Sequence, residues 1–187
     1  ETTGGNPVRD RITEIAAVRV EDGIEVARWS SLVNPGTHIP AFIEQLTGIS
    51  NAMVSDAPGF DNVAGRLLEL LDGAVLVAHN VRFDHGFLLN ELARMDIALR
   101  VKTLCTVRLS RALYPQHRGH GLDAIMQRHG LSTSARHHAM GDVDVVQSWL
   151  RLAQEELGAA PVRQQALALL QGSAALPPQL DTDVADI

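Results

Sequence analysis

Two stretches near the start of the chain alternate apolar and polar positions with a period of two. Ile12–Val20 (ITEIAAVRV) and Ile24–Val33 (IEVARWSSLV) read as β-strands, joined by a hairpin turn at Glu21-Asp22-Gly23. Asn34-Pro35-Gly36 ends the pair, and Pro40 suits the first turn of a short helix running to about Leu46. The period then lengthens. Behind Ser55-Asp56-Ala57-Pro58, the spacing of Phe60, Val63, Leu67, Leu68 and Leu71 predicts a helix with one buried face, stopped by Asp72-Gly73. Ala74–Ala78 (AVLVA) is short and wholly apolar, which predicts a strand buried on both faces. Helical spacing returns over about 83–95, 104–113, 121–129 and 138–156, with a short segment near Val101 and a loop at Tyr114–Gly119. Gly158–Pro161 breaks the pattern, Val162–Gln171 has helical spacing again, and Leu176-Pro177-Pro178 with the acidic end reads as a linker. Strand pair, helices, buried strand and further helices together predict an α/β fold of three layers with a mixed sheet.

Composition narrows the class. The chain has 187 residues, 45% of them hydrophobic, which is enough for one domain with a real core plus a tail. Neither a run of membrane-spanning length nor a basic-then-apolar signal segment stands out, so a soluble, cytoplasmic protein is expected. The single cysteine, Cys105, excludes an internal disulfide framework and a cysteine-based zinc cluster.

The net charge of −6 looks unfavourable for binding nucleic acid until it is divided along the chain. Between Arg82 and Arg136 nine basic residues face four acidic ones, whereas the rest holds seven basic and eighteen acidic. Such asymmetry suits a polyanion held on one side of the molecule. Arg108, Arg111 and Arg118 flank a loop with Tyr114 and are candidates for that track, with Arg66 and Arg151 outside the segment as comparisons. The competing reading is a solvated arginine-rich surface reflecting arginine codon usage, since Lys102 is the only lysine.

Two aspartates stand in apolar company. Asp84 is in line with Phe87, Leu88, Leu92 and Met95, and Asp142 with Val145, Val146, Trp149 and Ala153. A carboxylate on an apolar stripe must be paired, hydrogen-bonded or bound to a cation; alternatively it caps a helix start at the margin of the core. Glu1 heads an acid-then-small run, Glu1-Thr2-Thr3-Gly4-Gly5, and His137 precedes Asp142 by five residues. Three carboxylates and a histidine in a basic domain suit metal-assisted phosphodiester hydrolysis, with oxygen ligands pointing to Mg²⁺ or Mn²⁺ rather than zinc.

Glu1-Thr-Thr-Gly4, His79-Asn-Val-Arg-Phe-Asp84 and His137-His-Ala-Met-Gly-Asp142 resemble, in order and spacing, the three motifs of the DEDDh, or DnaQ-like, 3′→5′ exonucleases, which include the epsilon subunit of bacterial DNA polymerase III. Asp10-Arg-Ile-Thr-Glu-Ile-Ala-Ala-Val18, Leu46-Thr-Gly-Ile-Ser50 and Leu104-Cys-Thr-Val-Arg-Leu-Ser-Arg111 agree with it. The resemblance implies a ribonuclease H-like fold over about 1–156, with 157–187 as a helix and linker tail. It implies two divalent cations on Glu1, Asp84 and Asp142, and His137 as the base that activates water. Thr2, Thr3 and Gly4 would line the 3′-terminal nucleotide, with Asn80 and Phe83 supporting the pocket. His79 and His138 suit a supporting role as well as direct contact.

The family's first motif is Asp-x-Glu, and this sequence begins at the glutamate. The chain therefore reads as a fragment whose first strand is truncated, with one metal bound weakly and activity reduced or lost. In the tail, Gln164–Leu170 resembles peptides that dock on the bacterial sliding clamp, against the plainer reading of an amphipathic helix packed on the domain. The Leu176–Ile187 segment resembles the linker that precedes a GIY-YIG nuclease domain in epsilon-like proteins. The expected substrate is the 3′ end of single-stranded or frayed DNA, in proofreading or repair, with the polymerase III core as an expected partner. An RNA-directed exonuclease of the same superfamily is the alternative within the chemistry. A non-catalytic module that binds DNA ends or tethers another enzyme is the alternative outside it.

Overall fold

The computed structural model describes residues 1–133 and 138–172. The alternating stretches form β1 (Glu14–Glu21) and β2 (Ile24–Leu32), an antiparallel hairpin. Asp22 and Gly23 make its turn with φ of 51° and 82°, left-handed values that glycine and aspartate tolerate better than bulkier residues. α1 (Ala41–Thr47) and α2 (Asn51–Val54) follow, then α3 (Phe60–Leu71). The single turn of α2 escaped the pattern because four residues carry no periodicity; Ser50 caps it by accepting from the Met53 N–H at 3.2 Å.

β3 (Val75–Ala78), α4 (Val81–Ala93) and β4 (Lys102–Cys105) form a βαβ unit whose strands pair in parallel. β4 begins just after Val101 and takes in Leu104 and Cys105, so the helix expected from 104 starts at Thr106. α5 (Thr106–Leu113), α6 (Leu122–His129), α7 (Ala139–Leu157) and α8 (Ala159–Gly172) complete the described chain. Among the described residues no helix is long and apolar enough to cross a membrane.

The pleat of β1 puts helices on both of its faces. Ile15 joins Val33, Phe60, Leu67, Phe87 and Leu92 in a core shared with α3 and α4. Glu14, its neighbour, points the other way and meets the start of α7. A second core gathers Leu104, Leu109, Tyr114, Ile125, Trp149 and Val162 from β4 and α5–α8. Trp149, at 1% exposure, contributes roughly 1.5–3 kcal/mol by leaving water. Val162, Ala166, Leu169 and Leu170 lay α8 against this core, so the clamp-like Gln164–Leu170 stretch lies in a packed helix. Residues 173–187 lie outside the described chain.

Antiparallel and parallel pairings both occur, as a mixed α/β fold requires, but the described residues hold them in separate two-stranded sheets. Between the sheets runs a cleft of about 1370 Å³, walled by β1 and β3 and by side chains of α3, α4 and α7. This corrects the reading of Ala74–Ala78 as a strand buried on both faces. Val75 and Val77 remain 36% and 37% exposed, because β3 is paired along one edge with β4 and opens along the other to the cleft.

Candidate active site

Glu1, Asp84 and Asp142 come from three separated segments and all line the cleft between the sheets. Backbone hydrogen bonds hold Glu1. Its backbone nitrogen donates to the Glu14 carbonyl at 2.7 Å, and the Thr13 N–H donates to the Glu1 carbonyl at 2.9 Å. The turn that follows closes on itself: the Thr3 N–H donates to the Arg11 carbonyl at 2.8 Å, and the Arg11 N–H donates to Thr3 Oγ1 at 2.9 Å. A Cβ at Gly4 would lie 2.5 Å from Asp10 Oδ2, so a larger residue there would displace the carboxylate that accepts the Asn6 N–H at 2.7 Å.

Asp84 is placed by an abrupt strand-to-helix junction. β3 ends at Ala78 and α4 begins at Val81, a reversal that Asn80 permits with a left-handed φ of 65°. Asp84 then falls in the first turn of α4, where the helix dipole favours negative charge. His79 lies against the next strand–helix junction, its Nδ1 2.9 Å from Thr106 Oγ1. The Thr106 hydroxyl in turn reaches the Ala78 carbonyl at 3.3 Å. Phe83 is 39% exposed and leans on Phe87 with ring centroids 4.8 Å apart, leaving one face to the cleft.

Asp142 occupies the first turn of α7, its N–H donating to the His138 carbonyl at 3.2 Å. Glu14 accepts the Ala139 N–H at 2.8 Å, and its carboxylate lies 3.8 Å from His138 Nδ1. The Gly48 turn between α1 and α2 also approaches His138: a Cβ there would sit 3.8 Å from Nε2. His137 falls outside the described residues.

The electrostatics of the site are set first by desolvation and only then by the neighbouring like charges. Asp84 opens to the cleft, but protein packed around it restricts hydration of its charged form, and that desolvation pushes its carboxyl up to about 6. Glu1 and Asp142 push in the same direction, while its own backbone amide opposes them. Among the described residues no three histidine, cysteine or carboxylate side chains close into a ready-made cation cage. The donor set nevertheless fits a hard divalent cation. All three ligand candidates are carboxylates on an open cleft, the arrangement in which Mg²⁺ binds one or two carboxylates and completes its shell with water and substrate phosphate.

Of the residues expected to line a terminal nucleotide, Thr2, Asn80 and Phe83 reach the cleft wall. Thr3, 4% exposed, and Gly4 instead shape the turn behind Glu1. Two residues of the site's framework went unread in the sequence. Glu14 and Glu91 are acids within apolar runs, the same signal that marked Asp84 and Asp142; Glu91 is even in line with Asp84, Leu88 and Leu92.

Residues 1–147 match the family model described as Exonuclease. The chain belongs to the exonuclease family. The resemblance to its DEDDh, or DnaQ-like, members is shown by the relatives as well. The chain is 44% identical over 147 residues to the 3′-5′ exonuclease DinG of Bacillus subtilis, covering 78% of this chain and 16% of that protein. It is 33% identical over 159 residues to the DNA polymerase III subunit epsilon of Aquifex aeolicus, covering 84% and 78%. Against the PolC-type DNA polymerase III of Clostridium perfringens it is 35% identical, spanning 84% of this chain and 11% of that one. The chain thus spans a small part of its DinG and PolC-type relatives. Among solved structures, exonuclease X in complex with 5′ overhanging duplex DNA superposes with a TM-score of 0.70 at 27% identity, covering 89% of this chain and 93% of that one. Exonuclease I shares the ribonuclease H-like fold, with a TM-score of 0.73 at 20% identity, over 83% of this chain and 39% of that one.

Proposed function

We propose that this exonuclease domain is a divalent-metal-dependent 3′→5′ exonuclease that releases nucleoside monophosphates from single-stranded or frayed DNA ends. The observation that carries the reading is the convergence of Glu1, Asp84 and Asp142 on one cleft, with the Asp84 carboxyl raised to about 6. Glu1, Asp84 and Asp142 would hold one or two Mg²⁺ or Mn²⁺ ions. When bound, such cations supply Lewis acidity and stabilise charge on a phosphate under attack.

The chain's own residues do the rest. His137, five residues before Asp142, accepts the proton of the attacking water. Phe83 offers an exposed ring face to the terminal base, and Thr2 and Asn80 border the sugar. Arg111 and Arg151, both exposed and both on the cleft, hold backbone phosphates without reading sequence. Relatives named as polymerase III subunits support an association with a replicative polymerase.

A 5′-labelled single-stranded DNA oligonucleotide tests this with the protein expressed from its complete coding sequence. In Mn²⁺ the oligonucleotide should shorten from its 3′ end one nucleotide at a time, releasing 5′-monophosphates. EDTA and Asp142→Asn should each stop it. Internal cuts, metal-independent shortening, or binding without shortening would each overturn the proposal.

A further inference from the structure

Glu91 lies two turns beyond Asp84 on α4, about 10 Å along the helix axis. It is 2% exposed, and its partner is 80 residues away in sequence. Arg11 grips it in a fork, Nε to Oε1 at 2.7 Å and Nη2 to Oε2 at 2.9 Å. The Ile12 N–H adds a longer bond to Oε1 at 3.4 Å, and Arg94 Nη1 stands 3.4 Å from Oε2. Arg94 also donates through Nη2 to the Val8 carbonyl at 2.8 Å. Between these points Pro7 sits so near α4 that a Cβ on Gly86 would lie 3.4 Å from its Cγ.

One face of α4 therefore carries Asp84 at its first turn and grips, further along, the turn that ends in Glu1. Arg11 completes the linkage through its backbone, since it exchanges two hydrogen bonds with Thr3, two residues from Glu1. Cohesion alone does not call for this chemistry, because a buried ion pair adds no more stability than well-packed apolar side chains of the same volume. What the bidentate fork adds is direction and register.

We propose that Glu91 is a positioning residue: through Arg11 it fixes the Glu1 turn against α4, and so sets how Glu1 and Asp84 together hold a divalent cation. The proposal rests on the metal-dependent reading above, and its test separates the two. Manganese affinity is measured on the protein by titration followed by the Mn²⁺ electron paramagnetic resonance signal, for the natural sequence and for Glu91→Gln, Arg11→Lys, Leu109→Ala and Asp84→Asn, each checked by circular dichroism. Glu91→Gln should weaken Mn²⁺ binding by roughly 10- to 100-fold, the range found when a partner outside the ligand shell is lost. Arg11→Lys, which keeps the charge but loses the fork, should weaken it less. Leu109→Ala hollows the other core and should lower the melting temperature without moving the affinity.

The proposal is overturned if Arg11→Lys binds Mn²⁺ as the natural sequence does, or if Leu109→Ala weakens binding as much as the Arg11 and Glu91 variants. Should Glu91→Gln fail to fold, Arg11→Lys alone decides, since Arg11 is one-third exposed and the milder site. If Asp84→Asn leaves Mn²⁺ affinity unchanged, the carboxylate site itself is misassigned, whatever the Glu91 result.

Discussion

Glu14 Oε2 accepts the backbone N–H of Ala139 at 2.8 Å, joining the first residue of β1 to the first residue of α7 across 125 positions of sequence. An N–H in the first turn of a helix has no partner within the helix, and a carboxylate there is favoured by the dipole as well. The bond also sets where Asp142, one turn into α7, stands relative to the cleft. Glu14→Ala should cost about 1 kcal/mol in urea melts, as loss of a helix-capping acceptor does. Glu14→Gln, which keeps an acceptor oxygen, should recover most of it. Equal stability of Ala, Gln and natural proteins would show that the bond does not anchor the helix.

The raised carboxyl of Asp84 makes a signed prediction about pH. The folded state holds this proton up to about 6, whereas the unfolded chain releases it near the ordinary aspartate value of 3.8. Between those values the folded protein binds more protons than the unfolded, so metal-free stability falls as pH rises and levels off above about 6. Asp84→Asn removes that slope. The measurement is the difference in unfolding free energy between natural and Asp84→Asn proteins from pH 4 to 7 in EDTA, which cancels groups common to both, such as the lowered carboxyls of Glu25 and Glu44. A difference independent of pH would remove the account of a desolvated Asp84 carboxyl.

His137 is proposed to accept a proton rather than bind metal. His137→Ala should reduce turnover by 10²-fold or more, on the order of a lost general base, while manganese affinity stays nearly intact. An equal fall in metal affinity would place the imidazole among the ligands.

The salt dependence of binding tests the phosphate track. Arg111 and Arg151 share the cleft, so Arg151 is a candidate although it lies outside the basic segment. Arg66, tied to Glu69 at 2.9 Å on the exposed side of α3, remains the control. With calcium replacing the catalytic metal, Arg111→Ala and Arg151→Ala should each lower the slope of log affinity against log salt by about 0.7, for unrelated single strands alike. A matching change in Arg66→Ala would mean the effect is general surface charge.

Most of the elements, and the chemistry they carry, are legible in the one-dimensional pattern. The period-two runs and Asp22-Gly23 dictate the β1–β2 hairpin, because alternation and a turn tolerant of positive φ act within a few residues. The helical stripes of α3, α4 and α7 are legible for the same reason, and so are Asp84 and Asp142, as acids in line with buried apolar neighbours. Tertiary structure alone decided what those stripes meet. Nothing near Glu91 in sequence signals that Arg11 will neutralise it, and nothing near Glu14 signals the start of α7. Val75 and Val77 look like core in the one-dimensional pattern but face a cleft, since an apolar run does not reveal which of its edges is paired. Thr3 is buried with its hydroxyl accepting the Arg11 N–H, a partner that nothing beside it in sequence signals. Periodicity records which face of an element avoids water; which distant face it avoids water against is settled by packing between segments that the pattern describes one at a time.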